Sequence, residues 1–130
     1  MIVVDTNILV YLYLPTEFTV AAEKLLQSDP HWAAPILWRS EFRNVLALYL
    51  HKRLLTFDQA FNIQSKAEAL MSGNEFQPVS HEVLLLADQS GSSAYDCEFV
   101  AIARQLAVPL ITADKKLLQA FPSVARPLVH

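Results

Sequence analysis

Residues 107–114 read AVPLITAD, a short aliphatic run entered through a proline and ended by an aspartate. Residues 2–5, IVVD, repeat the pattern at the start of the chain. Runs this short, rich in Val and Ile and without alternation, read as strands buried on both faces, as in a parallel sheet. FQPVS at 76–80 is a further strand candidate, and ARPLV at 125–129 a final short one. Helix-period segments lie between them: 18–28, 37–52, 57–72 opening after Thr56, a helix beginning at Ser80 and running through 83–88, the stretch 92–103, and 115–121. Strands alternating with helices predict an α/β fold, with a parallel sheet covered by helices on both faces.

The chain has 130 residues, 53% hydrophobic and 18% charged. That suits one compact domain, 1–130, long enough to bury a core. The longest apolar run, ILVYLYL at 8–14, is far short of a membrane span. MIVVDTN carries neither a basic segment nor a cleavage-site pattern, so no secretory signal is expected. One cysteine, Cys97, excludes an intrachain disulfide framework and fits a reducing cytosol. A soluble cytoplasmic protein is the expectation. The net charge of −3 is not that of a nonspecific nucleic-acid binder. Setting aside four of the 13 acids for a metal site leaves nine against ten basic residues, so charge alone does not decide.

Four carboxylates stand in uncommon places. Asp5 and Asp114 each follow an apolar strand, where open parallel sheets bind ligands beyond the carboxyl ends of their strands. Both also suit helix caps. On a wheel of 38–50 at about 100° per residue, Glu41 falls inside the apolar arc of Trp38, Phe42, Val45, Leu46, Leu48 and Tyr49. Buried carboxylates without a partner are rare, so an arginine, an opening to water or a functional role must account for it. On a wheel of 95–106, Asp96 falls among Tyr95, Phe99, Val100, Ile102, Ala103 and Leu106. A capping arrangement with Ser93 is its plain alternative.

If the four converge, their repulsion needs protons or cations: one like-charge pair at ~4 Å costs ~4 kcal/mol at an effective dielectric of ~20. All-oxygen donors without a histidine pair favour Mg²⁺ or Mn²⁺ over zinc.

VVDTN at 3–7, Glu41 in WRSEFRNVL, SSAYDCEFVAIA at 92–103 and LITADKKLL at 110–118 together resemble the PIN-domain ribonucleases, most closely the small VapC-type toxins of toxin–antitoxin pairs. The resemblance runs to about residue 121. It implies a three-layer α/β/α fold and a site for Mg²⁺ or Mn²⁺ at Asp5, Glu41, Asp96 and Asp114. Asp5 and Asp96 match the central metal ligands, and Glu41 and Asp114 the acids that complete the site. Thr6 and Asn7 match polar residues beside the first aspartate. A homodimer and a cognate antitoxin are implied as partners.

The expected chemistry is metal-dependent hydrolysis of RNA phosphodiesters. His31, His51, His81 and His130 lie in unrelated contexts and read as structural or surface residues, not an acid–base pair. Arg39, Arg43, Lys52 and Arg53 on one helix, with Lys115 and Lys116 beside the site, are candidate RNA phosphate contacts or plain solvated charges. Two other readings compete. A metal-dependent phosphatase or nucleotide hydrolase would use similar acids, but DTN lacks a second acid two residues on and no phosphate-cradling glycine loop is present. A catalytically silent interaction module would use the apolar surface of 37–50 and 10–18.

Overall fold

A computed structural model describes residues 1–129; His130 lies outside the described residues. The sheet has five parallel strands in the order β3-β2-β1-β4-β5: β1 (Ile2–Val4), β2 (Trp32–Pro35), β3 (Glu75–Phe76), β4 (Leu110–Thr112) and β5 (Ala125–Pro127). The helices are α1 (Thr6–Tyr13), α2 (Thr19–Ser28), α3 (Trp38–His51), α4 (Phe57–Met71), α5 (Ser80–Ser90), α6 (Ala94–Leu106) and α7 (Lys115–Ala120). α6 lies against β1, β2 and β4 and carries α5; the other group joins α1 to α2, α3 and α4, with α1 on β1 and β4. The expected α/β fold, with a central parallel sheet between helical layers, is the one observed.

β1 is central, and Val3, Val4, Ala33, Ala34 and Leu110 of the three inner strands are fully buried. Val3 faces Ala33 on one side and Leu110 on the other. Burial on both faces explains why these strands read as continuous apolar runs. The chain leaves β1 to build β2 and β3 on one side, then returns to place β4 and β5 on the other. The strand order therefore reverses between β1 and β4. A crevice opens at such a reversal beyond the carboxyl ends of the two strands.

Two elements depart from the sequence reading. Thr6–Tyr13 is helical although ILVYLYL shows no amphipathic period; Ile8, Leu9 and Val10 are all buried, so apolar residues face more than one side. WAAP at 32–35 is a strand although two of its four residues are alanine. Its backbone is recruited by neighbours on both sides rather than by intrinsic preference. The other boundaries tighten: the strand near 76–80 is Glu75–Phe76, and that in 107–114 is Leu110–Thr112.

Helix ends are set by local chemistry. Thr56 and Gln59 form a reciprocal capping box that starts α4. Gly91, at φ 75°, ends α5 in the left-handed conformation that a side chain disfavours. No described helix is long and apolar enough to cross a membrane.

Candidate active site

β1 ends at Val4, and Asp5 turns the chain into α1. Its backbone N–H donates to the Ile111 carbonyl at 3.3 Å, which fixes the end of β1 to β4. Its side chain caps α1 by accepting the Ile8 N–H at 3.3 Å and also accepts the hydroxyl hydrogen of Thr112. Asp114 plays the matching part after β4, accepting the Lys116 and Leu117 N–H groups at 2.8 and 3.4 Å as the cap of α7. Asp96 sits in the first turn of α6, whose cap is Ser93. Glu41 sits in the first turn of α3 and accepts the Thr6 hydroxyl at 2.6 Å.

All four carboxylates line one cleft of about 430 Å³, a size typical of small-ligand sites. Capping and cleft lining are thus not alternatives here. A strand-end cap faces the crevice because the helix it starts begins there. Among the described residues Glu41 has no arginine partner; it reaches the cleft from the first turn of α3, between Leu37 and Val45.

The electrostatics are those of acids without counter-charges. Burial pushes the Asp5 carboxyl up to about 6, against the opposing hydrogen bonds from Thr112 and Ile8, and the charges of Asp114 and Asp96 add to the rise. Burial likewise raises Glu41, the Thr6 hydrogen bond opposes the rise, and Asp96 adds to it. Asp96 is raised by burial and then by the charge of Asp114. Among the described residues, no lysine, arginine or histidine forms an ion pair with any of the four.

Such a donor set suits a hard divalent cation. Among the described residues, no group of three or more His, Cys, Asp or Glu stands close enough to hold a metal ion. Mg²⁺ does not need such a group: it is commonly held by one or two carboxylates, keeps several waters and takes further oxygens from phosphate. The residues present therefore fit Mg²⁺ or Mn²⁺.

Asn7 lines the same cleft, exposed, and its side chain makes no hydrogen bond to the described residues. The basic candidates are not gathered there: Arg39, Arg43, Lys115 and Lys116 are all absent from its lining. Arg39 does not fit a free phosphate contact. Its guanidinium donates to Glu75 at 2.6 and 2.7 Å and to Glu68 at 3.1 Å. Arg43 is exposed and donates to the Arg39 carbonyl and to Ser40. Lys115 and Lys116 are exposed on α7 directly after Asp114. His31, His51 and His81 are exposed and away from the cleft.

Sequence reasoning overlooked Thr112, which is fully buried and bonded to Asp5. A polar residue closing an otherwise apolar buried strand was the available signal. It also assigned Tyr95 and Leu48 to buried arcs. Tyr95 is 64% exposed at the cleft and Leu48 50% exposed.

Known proteins resemble this chain in sequence and in fold. The chain is 26% identical over 129 residues to Ribonuclease VapC3 of Pyrobaculum aerophilum, covering 97% of this chain and 98% of that one. Its fold matches FitAcB of Neisseria gonorrhoeae with a TM-score of 0.74 at 19% identity, over 96% of each chain. It also matches a toxin–antitoxin complex from Klebsiella pneumoniae with a TM-score of 0.72 at 15% identity, over 100% of this chain and 99% of that one. The PIN domain model matches residues 2–123, a span that holds all five strands but the last and every acid of the cleft; this chain belongs to the PIN domain family.

Proposed function

We propose that this chain is a metal-dependent endoribonuclease, that it acts in the cytoplasm as the toxin of a toxin–antitoxin pair, and that Asp5, Glu41, Asp96 and Asp114 form its catalytic and metal-binding site. The observation that carries the reading is the convergence of four carboxylates, none with a cationic partner among the described residues, on the crevice between β1 and β4 of a PIN-family sheet. The name and near-complete coverage of the Pyrobaculum relative support ribonuclease activity. The Klebsiella complex supports an antitoxin partner.

Mg²⁺ or Mn²⁺ held by one or two of these acids, with waters completing its shell, would lower the pKa of a water and neutralise charge on the scissile phosphate. The chain's own residues supply rigidity and aim. Thr112 and the Ile8 N–H lock the Asp5 carboxylate, Thr6 holds one oxygen of Glu41, and the start of α7 holds Asp114. Lys115 and Lys116, beside Asp114, take the flanking RNA phosphates as exposed charges. The chain works as a single nuclease domain and pairs with a second copy of itself.

Incubating the purified protein with a mixed RNA pool tests this reading. Cleavage in Mg²⁺ or Mn²⁺, abolished by EDTA and by Asp96→Asn, is the expected result. An inactive wild type across both metals, or an Asp96→Asn variant that cuts equally well, overturns it.

A further inference from the structure

The cleft has two chemically different zones. Its inner part is carboxylate. Its rim is uncharged and exposed, made of Tyr95 from α6, Ser40 and Asn44 from α3, and Asn7 from α1. Asn44 lies one turn along α3 from both Ser40 and Glu41, and all three line the cleft, so this rim adjoins the acids directly.

Tyr95 is out of place as a structural residue. It immediately precedes Asp96, is 64% exposed, and among the described residues makes neither a hydrogen bond nor a ring contact. The amide of Asn44 is likewise exposed and bonded to no described residue. A phosphodiester can accept a hydrogen bond from an amide or a hydroxyl, but it has no π-face to stack on an aromatic ring. A nucleobase offers a π-face and an edge carrying donors and acceptors together, the complement of this rim.

We propose that Tyr95 is the base-stacking platform of the cleft, with Asn44 on the edge of the same base, so that the enzyme takes RNA with an unpaired nucleotide beside the scissile phosphate. The proposal rests on the nuclease reading for its substrate. Bases inside an A-form duplex are already stacked and present no free face to a side chain, so a stacking platform selects single strands, loops and ends.

The test compares wild type, Tyr95→Ala and Tyr95→Trp. Binding is read by anisotropy of a fluorescein-labelled, phosphorothioate-linked single-stranded RNA in Mg²⁺, and again with the strand annealed to its complement. Cleavage kinetics are read on the unmodified strand. Removing a base-stacking aromatic should weaken single-strand binding and raise KM about 5- to 100-fold, with kcat little changed. Tyr95→Trp should restore both, and the duplex should bind weakly and resist cleavage. Because Tyr95 is exposed, circular dichroism and the melting temperature should match wild type in both variants.

Unchanged affinity and KM in Tyr95→Ala, or a duplex bound and cut as well as the single strand, overturns the stacking role. If the wild type cuts nothing but binds single strands in a Tyr95-dependent way, the nuclease reading falls and the platform stands. If it neither binds nor cuts, both fall.

Discussion

The hydroxyl of Thr112 joins two acids that lie more than a hundred residues apart in sequence. It donates to Asp5 and accepts the backbone N–H of Asp114 at 3.0 Å. Thr112→Val keeps the shape of the side chain and removes this bridge, leaving a buried carboxylate short of a donor. Stability should fall by about 1–3 kcal/mol in urea melts. Cleavage should fall by about 10- to 100-fold, as for the loss of other groups that orient catalytic acids. Thr112→Ser should retain both properties. A valine variant as stable and as active as wild type would remove Thr112 from the site.

The raised Asp5 carboxyl makes stability depend on pH. In the folded chain Asp5 titrates at about 6, against 3.8 for an ordinary aspartate, so between these values the folded state binds the proton more tightly. Stability from this group is therefore present at low pH and lost as pH rises through 6. The full difference is about 3 kcal/mol, and about half of it is recovered on going from pH 7 to pH 5. Glu41 and Asp96 are raised too and act in the same direction. In EDTA the melting temperature should rise by a few degrees between pH 7 and pH 5. Saturating Mg²⁺ at pH 7 should produce a similar rise, because a cation meets the same need as the protons. A metal-free melting temperature that climbs with pH across this window would contradict the assignment.

Asp96→Asn removes one charge from a mutually repelling group. The metal-free variant should melt slightly higher than wild type, by on the order of 1 kcal/mol or less because Asp96 is partly solvated. Cleavage should be lost at the same time. A gain in stability with a loss of activity marks a functional acid. A loss of both would instead identify Asp96 as a structural residue.

Glu75 holds a network whose members do not line the cleft. It accepts the Trp38 indole N–H at 2.8 Å together with two bonds from Arg39, and the Arg39 contact holds its carboxyl below the usual range. Glu75→Ala strands the buried indole and a half-exposed guanidinium. It should cost about 1.5–3 kcal/mol while leaving the salt dependence of RNA binding unchanged. Lys115→Ala with Lys116→Ala should do the opposite, sparing stability and flattening the slope of affinity against salt by about one or two. Equal salt slopes in the lysine variant and wild type would mean that these lysines only solvate α7.

What the sequence disclosed followed from periodicity and position. Asp5 and Asp114 were legible because a strand end in a parallel sheet is a place where ligands bind, and Glu41 because it fell among apolar residues. Their meeting in one cleft depends on β1 and β4 being neighbours, and no local pattern states that. α1 escaped notice because Ile8, Leu9 and Val10 are all buried, which erases the polar face that marks a helix. β2 escaped because two alanines carry little strand preference of their own. Tyr95 was misplaced for a related reason: a wheel records which side of a helix a residue occupies but not whether that residue is covered. Arg39 was placed with the basic residues because Glu68 and Glu75, far along the chain, could not be seen beside it.

The central strand precedes the other four in the chain, and its partner at the crevice comes more than a hundred residues later. Asp5 can cap α1 through Ile8 at once, but its second oxygen finds its partner only after Thr112 has emerged and β4 has docked. The cleft that holds the four acids therefore cannot assemble before β4 and Asp114 have been made. For the nuclease proposed above, that order of assembly would withhold activity until the fourth strand has docked.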